Sequence, residues 1–241
     1  MEILITIPHG SVVIPEEFNH EFILAPEHMN LHLDYGTEKI FELENFDVLK
    51  ATVSRFVVDL NREREDLQEG QGVIITETWS GEKVLKHKLT PKTIENRLVK
   101  YYDSFYKKLD SYLIEKKKPL FVLDGHSMDS KGSLVSGDAG KERPEICFAT
   151  GRGSGTVPEN LLNIFEEEFQ NAGYHAERNN PYSGARAKII HYTTQKPNIH
   201  ALELEVNKAV YMNEKTFELK KEPIKKFRNT LTNVLNKIKN L

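Results

Sequence analysis

The stretch FVLDGHSMDS, residues 121–130, decides how this chain is interpreted. Its first three residues continue a short apolar run that is typical of a buried strand, and Gly125 ends that run. Asp124, His126 and Ser127 then lie at the predicted strand end, and in an open α/β sheet ligands bind outside the carboxyl ends of the strands. These side chains either cap a loop through hydrogen bonds or belong to a metal or catalytic site, since histidine is the commonest metal ligand.

A second histidine follows the first predicted strand of the chain. Residues 3–7 are apolar and β-branched, and the segment PHGS, residues 8–11, comes directly after them. Because parallel strands would end at one edge of a sheet, we expect His9 and His126 to lie close together. If both bind one zinc ion, their imidazole nitrogens lie within about 5 Å of each other.

Composition sets the broad class of the protein. The chain has 241 residues, of which 39% are hydrophobic and 29% are charged, which is ordinary for a globular protein. Its net charge of −3 indicates neither a nucleic-acid partner nor an anionic membrane surface. One cysteine, Cys147, rules out an internal disulfide framework. With no signal peptide and no run of about 20 apolar residues, the sequence predicts a cytoplasmic protein.

Apolar periodicity predicts alternating strands and helices, and therefore an α/β fold. Thr90 and Pro91 begin the clearest helix, because threonine is a favoured N-cap and proline suits the first helical position. The predicted strands are residues 3–7, 48–52, 56–60, 72–79, 120–123, 145–150, 187–192 and 199–206. The other predicted helices are residues 33–44, 158–172 and 223–238.

Several polar residues have two interpretations from the sequence alone. Asp34 lies in the first turn of a predicted helix, where the helix dipole favours a carboxylate, so a structural role is the simpler one. Arg62, next to Asn61 at a predicted strand end, either is structural or clamps a carboxylate with its planar guanidinium. Glu203 and Glu205 share one face of an alternating strand. That face is either solvated at a sheet edge, or one glutamate points into a polar cleft.

Two further segments favour structural interpretations. The glycine-rich turn at residues 151–156 lies between a predicted strand and a predicted helix, as phosphate-binding loops do. It lacks the Walker A lysine and the dinucleotide-binding spacing, so a tight turn is favoured. The lysine run at residues 116–118 is interpreted as a solvated helix end.

Four segments, taken in order, carry a family resemblance: PHGS at 8–11, DLNR at 59–62, DGHS at 124–127 and ALELEVNKAVYMNE at 201–214. With PYSG at 181–184, they make the chain resemble the N-formylglutamate amidohydrolase (deformylase) family over most of its length. The resemblance implies kinship with zinc carboxypeptidases and aspartoacylases. It implies one α/β domain over residues 1–241, with a mixed central β-sheet flanked by helices on both faces, of the zinc carboxypeptidase or phosphorylase/hydrolase-like kind. It also implies a metal-dependent hydrolase that cleaves the formyl amide of N-formyl-L-glutamate, as in histidine breakdown.

The resemblance assigns His9 and His126 as metal ligands for Zn²⁺ or another divalent transition metal. In the carboxypeptidase relatives a glutamate three residues after the first histidine is also a ligand, but Val12 stands there in this chain. Asp34, in an Asp-x-Gly segment with Gly36, is our candidate for the third ligand.

The resemblance also assigns two catalytic residues, with Glu205 as the general base and Asp124 as the residue that orients the second histidine. It implies that Asn61 and Arg62 grip a substrate carboxylate. Two further candidates for substrate binding are Tyr182, in the PYSG segment, and Arg186, which follows it.

The expected partner is therefore a small anionic N-acyl amino acid. Family members often carry paired basic residues after the late glutamate, whereas this chain has Val206, Asn207 and Lys208. Hydrolysis of another N-acyl amino acid or peptide-like amide therefore stays open. So does a non-catalytic protein that binds an acidic ligand or a protein partner. The sequence leaves the oligomeric state open.

Overall fold

Six strands form one mixed sheet in the computed structural model, which describes residues 1–114, 119–133, 136–152 and 156–241. The strand order across the sheet is β2-β1-β3-β6-β4-β5. The first four strands in that order run parallel, β4 runs antiparallel to β6, and β5 runs parallel to β4. The strands are β1 (Glu2–Ile7), β2 (Asp47–Lys50), β3 (Leu120–Met128), β4 (Ile146–Ala149), β5 (Ala176–Arg178) and β6 (Ile199–Asn207).

Helices cover both faces of this sheet. They are α1 (Pro26–Met29), α2 (Thr37–Phe41), α3 (Pro91–Arg97), α4 (Ser104–Ile114), α5 (Glu159–Asn171), α6 (Lys188–Thr194), α7 (Lys208–Tyr211) and α8 (Lys221–Lys239). Two 3-10 segments, Glu16–Glu21 and Asn30–His32, flank α1, and a π-helical segment, Leu98–Asp103, joins α3 to α4. The side chain of Thr90 accepts a hydrogen bond from the Thr93 backbone N–H, so the predicted N-cap of α3 is confirmed.

The alternation of side chains along the central strands divides the core into two clusters, one on each face of the sheet. In β3, Phe121 and Leu123 pack on the face that carries α5 and α8, whereas Val122 packs on the face that carries α4 and α6. Gly125 lies directly under the ring of Phe41, and a Cβ there would stand 2.7 Å from that ring. The position of the aromatic ring therefore requires a glycine in the strand.

The predicted fold class, a mixed sheet between two helical layers, is confirmed.

Several predicted strands are wrong. Residues 187–192 fall mostly in helix α6, whose buried Ile189, Ile190 and Thr193 face β6. A short apolar run does not distinguish a buried helix turn from a strand. Residues 56–60 are buried but form turns, and residues 72–79 form only isolated bridges. The predicted helix at 33–44 is confined to Thr37–Phe41, so Asp34 precedes the helix.

The lysine run and the centre of the glycine-rich turn lie outside the described residues. Within the described part of the chain, no helix combines the length and the apolar character needed to cross a membrane.

Candidate active site

The polar residues singled out by the sequence meet at the carboxyl ends of β1, β3 and β6. A cleft of about 460 Å³ opens there, within the usual size range of small-molecule sites. His9 lies just after β1, and Asp124 and His126 lie on the same face of β3. Glu203 and Glu205 of β6 are their partners in the parallel ladder, with Asp124 opposite Glu203 and His126 opposite Glu205.

The strand-end interpretation of residues 124–127 needs a correction. β3 continues to Met128, so Asp124, His126 and Ser127 belong to the strand and are buried. Gly125 does not end the strand. A glycine is needed at this position inside the strand, because a Cβ there would collide with the Phe41 ring. His126 is therefore held in the backbone ladder between β3 and β6, which fixes it more firmly than a loop would.

Three residues, His9, Asp34 and His126, form what we call the inner group. The rings of the two histidines have centroids 4.8 Å apart. Asp34 Oδ2 lies 3.0 Å from His126 Nδ1 and 3.6 Å from His9 Nδ1. All three residues are buried, and all three line the cleft.

The chain is turned sharply to bring Asp34 into the inner group. Gly36 has a φ of 82°, in the left-handed region that favours glycine. Thr37, the first residue of α2, donates its side-chain O–H to the Asp34 carbonyl at 2.8 Å. The Asp-x-Gly segment thus places a carboxylate beside two histidines, one just after β1 and one in the neighbouring strand β3.

A carboxylate holds the second nitrogen of each histidine. His9 Nε2 lies 2.7 Å from Asp59 Oδ1, and His126 Nε2 lies 3.1 Å from Asp124 Oδ2. When the imidazoles are neutral and Nε2–H donates to these carboxylates, both Nδ1 atoms direct lone pairs toward Asp34. Metal-binding histidines are usually oriented in this way by an outer carboxylate. The donor set of two imidazoles and one carboxylate therefore fits a divalent transition metal.

A second possible donor set shares His126 with the inner group. It consists of Asp124, His126 and Glu203 and would use Nε2 of the histidine. Asp124 does not line the cleft, and its Oδ1 already accepts a hydrogen bond from Thr6 Oγ1 at 2.6 Å. A ligand in the cleft reaches the inner group directly, so the inner group is the better candidate.

The ionisation of the inner group is dominated by these contacts. Burial opposes protonation of His126, but the carboxylates of Asp124 and Asp34 outweigh it and raise the pKa of His126 well above its usual value. Burial likewise opposes ionisation of Asp34, but hydrogen bonds from His126 and His9 lower the pKa of Asp34 well below its usual value. Without a metal, the protein thus holds a proton on an imidazole next to a carboxylate.

The two glutamates of β6 differ in their partners. Glu203 Oε2 lies 3.5 Å from Asn61 Nδ2 and 4.0 Å from His126 Nε2. Glu205 Oε2 is buried and has no hydrogen-bond partner among the described residues. Burial raises the pKa of both carboxyl groups, and it raises that of Glu205 well above its usual value. Glu205 thus combines a buried oxygen that lacks a hydrogen-bond partner among the described residues with a carboxyl group that burial keeps protonated to a higher pH than usual.

Asn61 and Arg62 lie on a loop, because the strand predicted before them is absent. Asn61 is held on both sides, since its Oδ1 accepts from the Ile189 N–H at 2.9 Å and its Nδ2 lies 3.2 Å from Asp124 Oδ2. That Nδ2 also lies 3.1 Å from His126 Nε2. When His126 Nε2 is protonated, the Asn61 amide directs its N–H at the shared Asp124 oxygen.

Arg62 borders the same cleft and is partly buried. Its guanidinium donates to two backbone carbonyls, those of Gln71 at 3.3 Å and Asn61 at 3.0 Å. Among the described residues no carboxylate is paired with it, whereas Arg55 is paired with Asp59. It therefore presents an unneutralised cation to the cleft.

Arg186 and Tyr182 lie at the rim of the cleft. Arg186 is exposed and has one distant ion-pair partner, Asp66, at 3.5 Å. The Tyr182 ring packs against the Arg143 guanidinium, with 5.1 Å between the guanidinium carbon and the ring centroid. The structure thus brings all nine predicted site residues to one cleft or directly beneath it, and their roles stay predictions.

The sequence analysis missed four residues of the site: Arg55, Asp59, Arg143 and Lys208. Asp59 was quoted in the DLNR segment, and its proximity to the Asn-Arg pair was the only available signal. Lys208 lines the cleft and pairs with Asp129 at 2.6 Å. Arg143 precedes β4 and also lines the cleft.

Comparisons with known proteins give a family match and similar solved structures. The sequence profile of one family, described as N-formylglutamate amidohydrolase, matches residues 1–212. Among curated protein sequences, no significant match is found. The crystal structure of an N-formylglutamate amidohydrolase from Ralstonia eutropha JMP134 is similar, with 20% identity and a TM-score of 0.82 over 99% of this chain and 92% of that chain. A gene product from Agrobacterium tumefaciens has 15% identity and a TM-score of 0.72 over the same shares of the two chains. At these identities the structural likeness shows the fold alone.

Proposed function

Because this chain belongs to the N-formylglutamate amidohydrolase family, we propose that it hydrolyses the formyl amide of N-formyl-L-glutamate to formate and L-glutamate. A divalent transition metal, such as Zn²⁺, is the proposed cofactor. The observation that carries the proposal is the inner group, which joins two imidazoles and a carboxylate at a cleft. The same cleft contains the Arg62 guanidinium, which has no carboxylate partner among the described residues.

His9, Asp34 and His126 hold the metal in this proposal. Asp59 and Asp124 keep the two imidazoles in the tautomer and orientation that binding requires. A divalent cation there supplies Lewis acidity, which polarises an amide carbonyl and lowers the pKa of water. Asn61 acts indirectly, because its amide holds Asp124 and Glu203 in place.

Glu205 moves the proton during hydrolysis. Its free oxygen accepts a proton from the attacking water as the new carbon–oxygen bond forms at the formyl carbon. Glu205 then gives that proton to the amide nitrogen as the carbon–nitrogen bond breaks, which releases formate and the free amine of glutamate. The raised pKa of Glu205 makes its carboxylate a stronger base than an exposed one.

Arg62 binds the α-carboxylate of the substrate. A guanidinium matches a carboxylate with two parallel hydrogen bonds, and this one has no acidic partner among the described residues. Arg186, which lines the same cleft as Tyr182, is proposed for the side-chain carboxylate, because its only ion pair in the described chain is long and exposed.

One observation favours a second candidate within the same reaction class. At positions 206–208, where the resemblance leads us to expect paired basic residues, Lys208 is the only cation, and Asp129 neutralises it. Asn207 is used internally, since its side chain donates to the Arg143 carbonyl at 3.2 Å. An N-acyl amino acid without a side-chain carboxylate is therefore the alternative substrate.

A formate-release assay combined with metal analysis tests the proposal. Protein purified without chelator is assayed with N-formyl-L-glutamate and with a panel of N-formyl and N-acetyl amino acids, and kcat/KM is compared. The highest value on N-formyl-L-glutamate, together with loss of turnover on metal removal and recovery with Zn²⁺, supports the proposal. A preference for a neutral side chain favours the alternative. No bound metal and no turnover with any divalent ion would indicate a binding protein.

A further inference from the structure

We infer that His28, His32 and Glu82 form a second divalent-metal site at the mouth of the cleft, separate from the inner group. We call these three residues the outer group. The inference goes beyond the proposed reaction, which uses none of the three. The ion it would take is a transition metal that prefers imidazole and carboxylate ligands, such as Zn²⁺.

The two histidines lie on one side of a single helical turn. His28 lies in the last turn of α1 and His32 ends the 3-10 segment that follows it, four residues further on. Side chains four residues apart on a helix are neighbours. Glu82 approaches from the loop after Trp79, and the three candidate ligand atoms lie within 4.8 Å of one another.

The distances suit a bound ion better than a set of hydrogen bonds. Glu82 Oε2 lies 3.2 Å from His28 Nε2 and 3.7 Å from His32 Nε2. Ligands placed tetrahedrally at about 2.0–2.1 Å from zinc stand about 3.3 Å apart. Both observed distances are near that value, whereas 3.7 Å is too long for a hydrogen bond.

One buried atom carries the inference. His32 Nε2 is buried and has no hydrogen-bond partner in the part of the chain that the structure describes. An ion pair between His28 and Glu82 accounts for those two residues but leaves this nitrogen unsatisfied. A buried polar atom without a partner is rare in a folded protein. An ion bound by all three residues satisfies it.

The carboxylate of Glu82 lies against both imidazoles of the outer group. Ser80 Oγ donates to Glu82 Oε2 at 2.9 Å and orients the carboxylate.

A bound ion here would connect two segments at the mouth of the cleft. His32 lines the cleft together with Leu31 and Trp79, whereas His28 and Glu82 lie outside it. Three protein ligands leave a further coordination position for water or an anion. The ion would fix α1 to the loop that contains Glu82.

Zinc stoichiometry tests the inference. The full chain is stripped of metal and dialysed against Zn²⁺ alone, and bound zinc is measured for the wild type, His28→Ala and Glu82→Gln. Side chains of both residues are more than two-fifths exposed, so neither change threatens the fold. We expect the wild type to bind one more equivalent than either variant. His175→Ala is the matched control, because His175 pairs with Glu177 at 3.0 Å but belongs to no three-residue donor group among the described residues.

The outcomes separate this inference from the proposed function. The same zinc content in the wild type, His28→Ala and Glu82→Gln would overturn the outer site, and so would an equal loss in His175→Ala. His9→Ala measures the inner group in the same experiment. Loss of one equivalent in His28→Ala together with no loss in His9→Ala would support the outer site and count against the proposed metal ligands of the reaction.

Discussion

The inner and outer groups contain the same kinds of donor, two histidines and one carboxylate, in opposite settings. In the inner group, the second nitrogen of each histidine is held by a buried aspartate, Asp59 or Asp124. In the outer group, the side chains of His28 and Glu82 are 41% and 45% exposed. The comparison shows that the same donor residues can form sites of different rigidity. The residues that surround the donors determine whether a site is preorganised.

The two groups also differ in how the chain assembles them. The outer histidines are four residues apart on one turn, whereas His9, Asp34 and His126 come from three separate parts of the fold. A carboxylate beside each inner imidazole also changes the chemistry, since it raises the basicity of the ligand. We therefore expect substitutions in the inner group to affect the protein most.

The largest effect is expected for His126→Ala. The change removes a metal ligand and leaves the Asp34 and Asp124 carboxylates buried without their imidazole. Loss of one partner from a buried charged pair costs about 3–5 kcal/mol. We expect no measurable formate release, the loss of one zinc equivalent and a lower free energy of unfolding. A variant that still binds the full amount of zinc would contradict the ligand assignment.

The next largest effect is expected for Glu205→Gln. Removing a positioned general base typically lowers kcat by about 10²–10⁴-fold. Bound zinc should not change, because Glu205 is not proposed as a ligand. Glu203→Gln is the matched control on the same strand face and should keep most of its turnover. If Glu203→Gln were the inactive variant, the roles of the two glutamates would have to be exchanged.

A smaller and more selective effect is expected for Arg62→Ala. Losing a charge-assisted pair in a desolvated site costs about 2–5 kcal/mol. We expect kcat/KM to fall by the corresponding factor for substrates with a free α-carboxylate and by a much smaller factor for α-amide analogues. Arg62→Lys, which keeps the charge but not the planar fork, should lie in between. An equal loss on both substrates would mean that Arg62 only supports the backbone carbonyls of Asn61 and Gln71.

The pH dependence of stability should have opposite signs in the two groups when metal is removed. The pKa of His126 is raised above its unfolded value of about 6.5, so folding favours its protonated form. That stabilisation is complete below about pH 6.5 and is lost as pH rises through the folded pKa. The pKa of His32 is lowered, so it disfavours folding when pH falls below about 6.5.

Denaturant unfolding of chelated protein across pH measures both contributions. The His126 contribution is the difference between the wild type and His126→Gln, and the His32 contribution is the difference between the wild type and His32→Gln. A His126 contribution that grows with pH above 6.5 would contradict the charge network described for the inner group.

The smallest effect on turnover is expected for His28→Ala. Because His28 lies outside the cleft, we expect this variant to retain most of the formate release of the wild type. It should nevertheless lose the increase in Tm that the outer site contributes when excess Zn²⁺ is present, since an ion bound only to the folded state stabilises it. A loss of turnover as large as that of Glu205→Gln would mean that the two groups are not independent.

The family resemblance implied the mixed sheet between two helical layers, and the order of the apolar strands predicted that His9 meets His126. The sequence did not predict that β3 runs on through His126, since the need for Gly125 under Phe41 is a tertiary contact. Asp59 was not predicted as the partner of His9, because residues 56–60 resemble a strand but form buried turns. Such turns depend on contacts between residues that are far apart in the sequence, and apolar periodicity does not indicate these contacts.

The outer group shows a different limit of sequence analysis. The spacing of His28 and His32 is visible in the sequence, but nothing near them indicates Glu82, which lies on a distant loop. The sequence analysis likewise assigned no role to Arg143, which lines the cleft and pairs with Asp138 at 2.7 Å. Long charged side chains in loops take their positions from partners that only the folded structure brings together.

The pairing of β3 with β6 has a consequence for how the chain acquires activity during folding. His126 and its β6 partner Glu205 are 79 residues apart in sequence, and Asn61 and Glu203 are 142 residues apart. Closing such long loops costs entropy before the contacts repay it, so these pairings form slowly. During synthesis β3 leaves the ribosome well before β6, so Asp124 and His126 are made before β6 is available to pair with them. The recovery of formate release in a refolding experiment would therefore time the last step of sheet assembly.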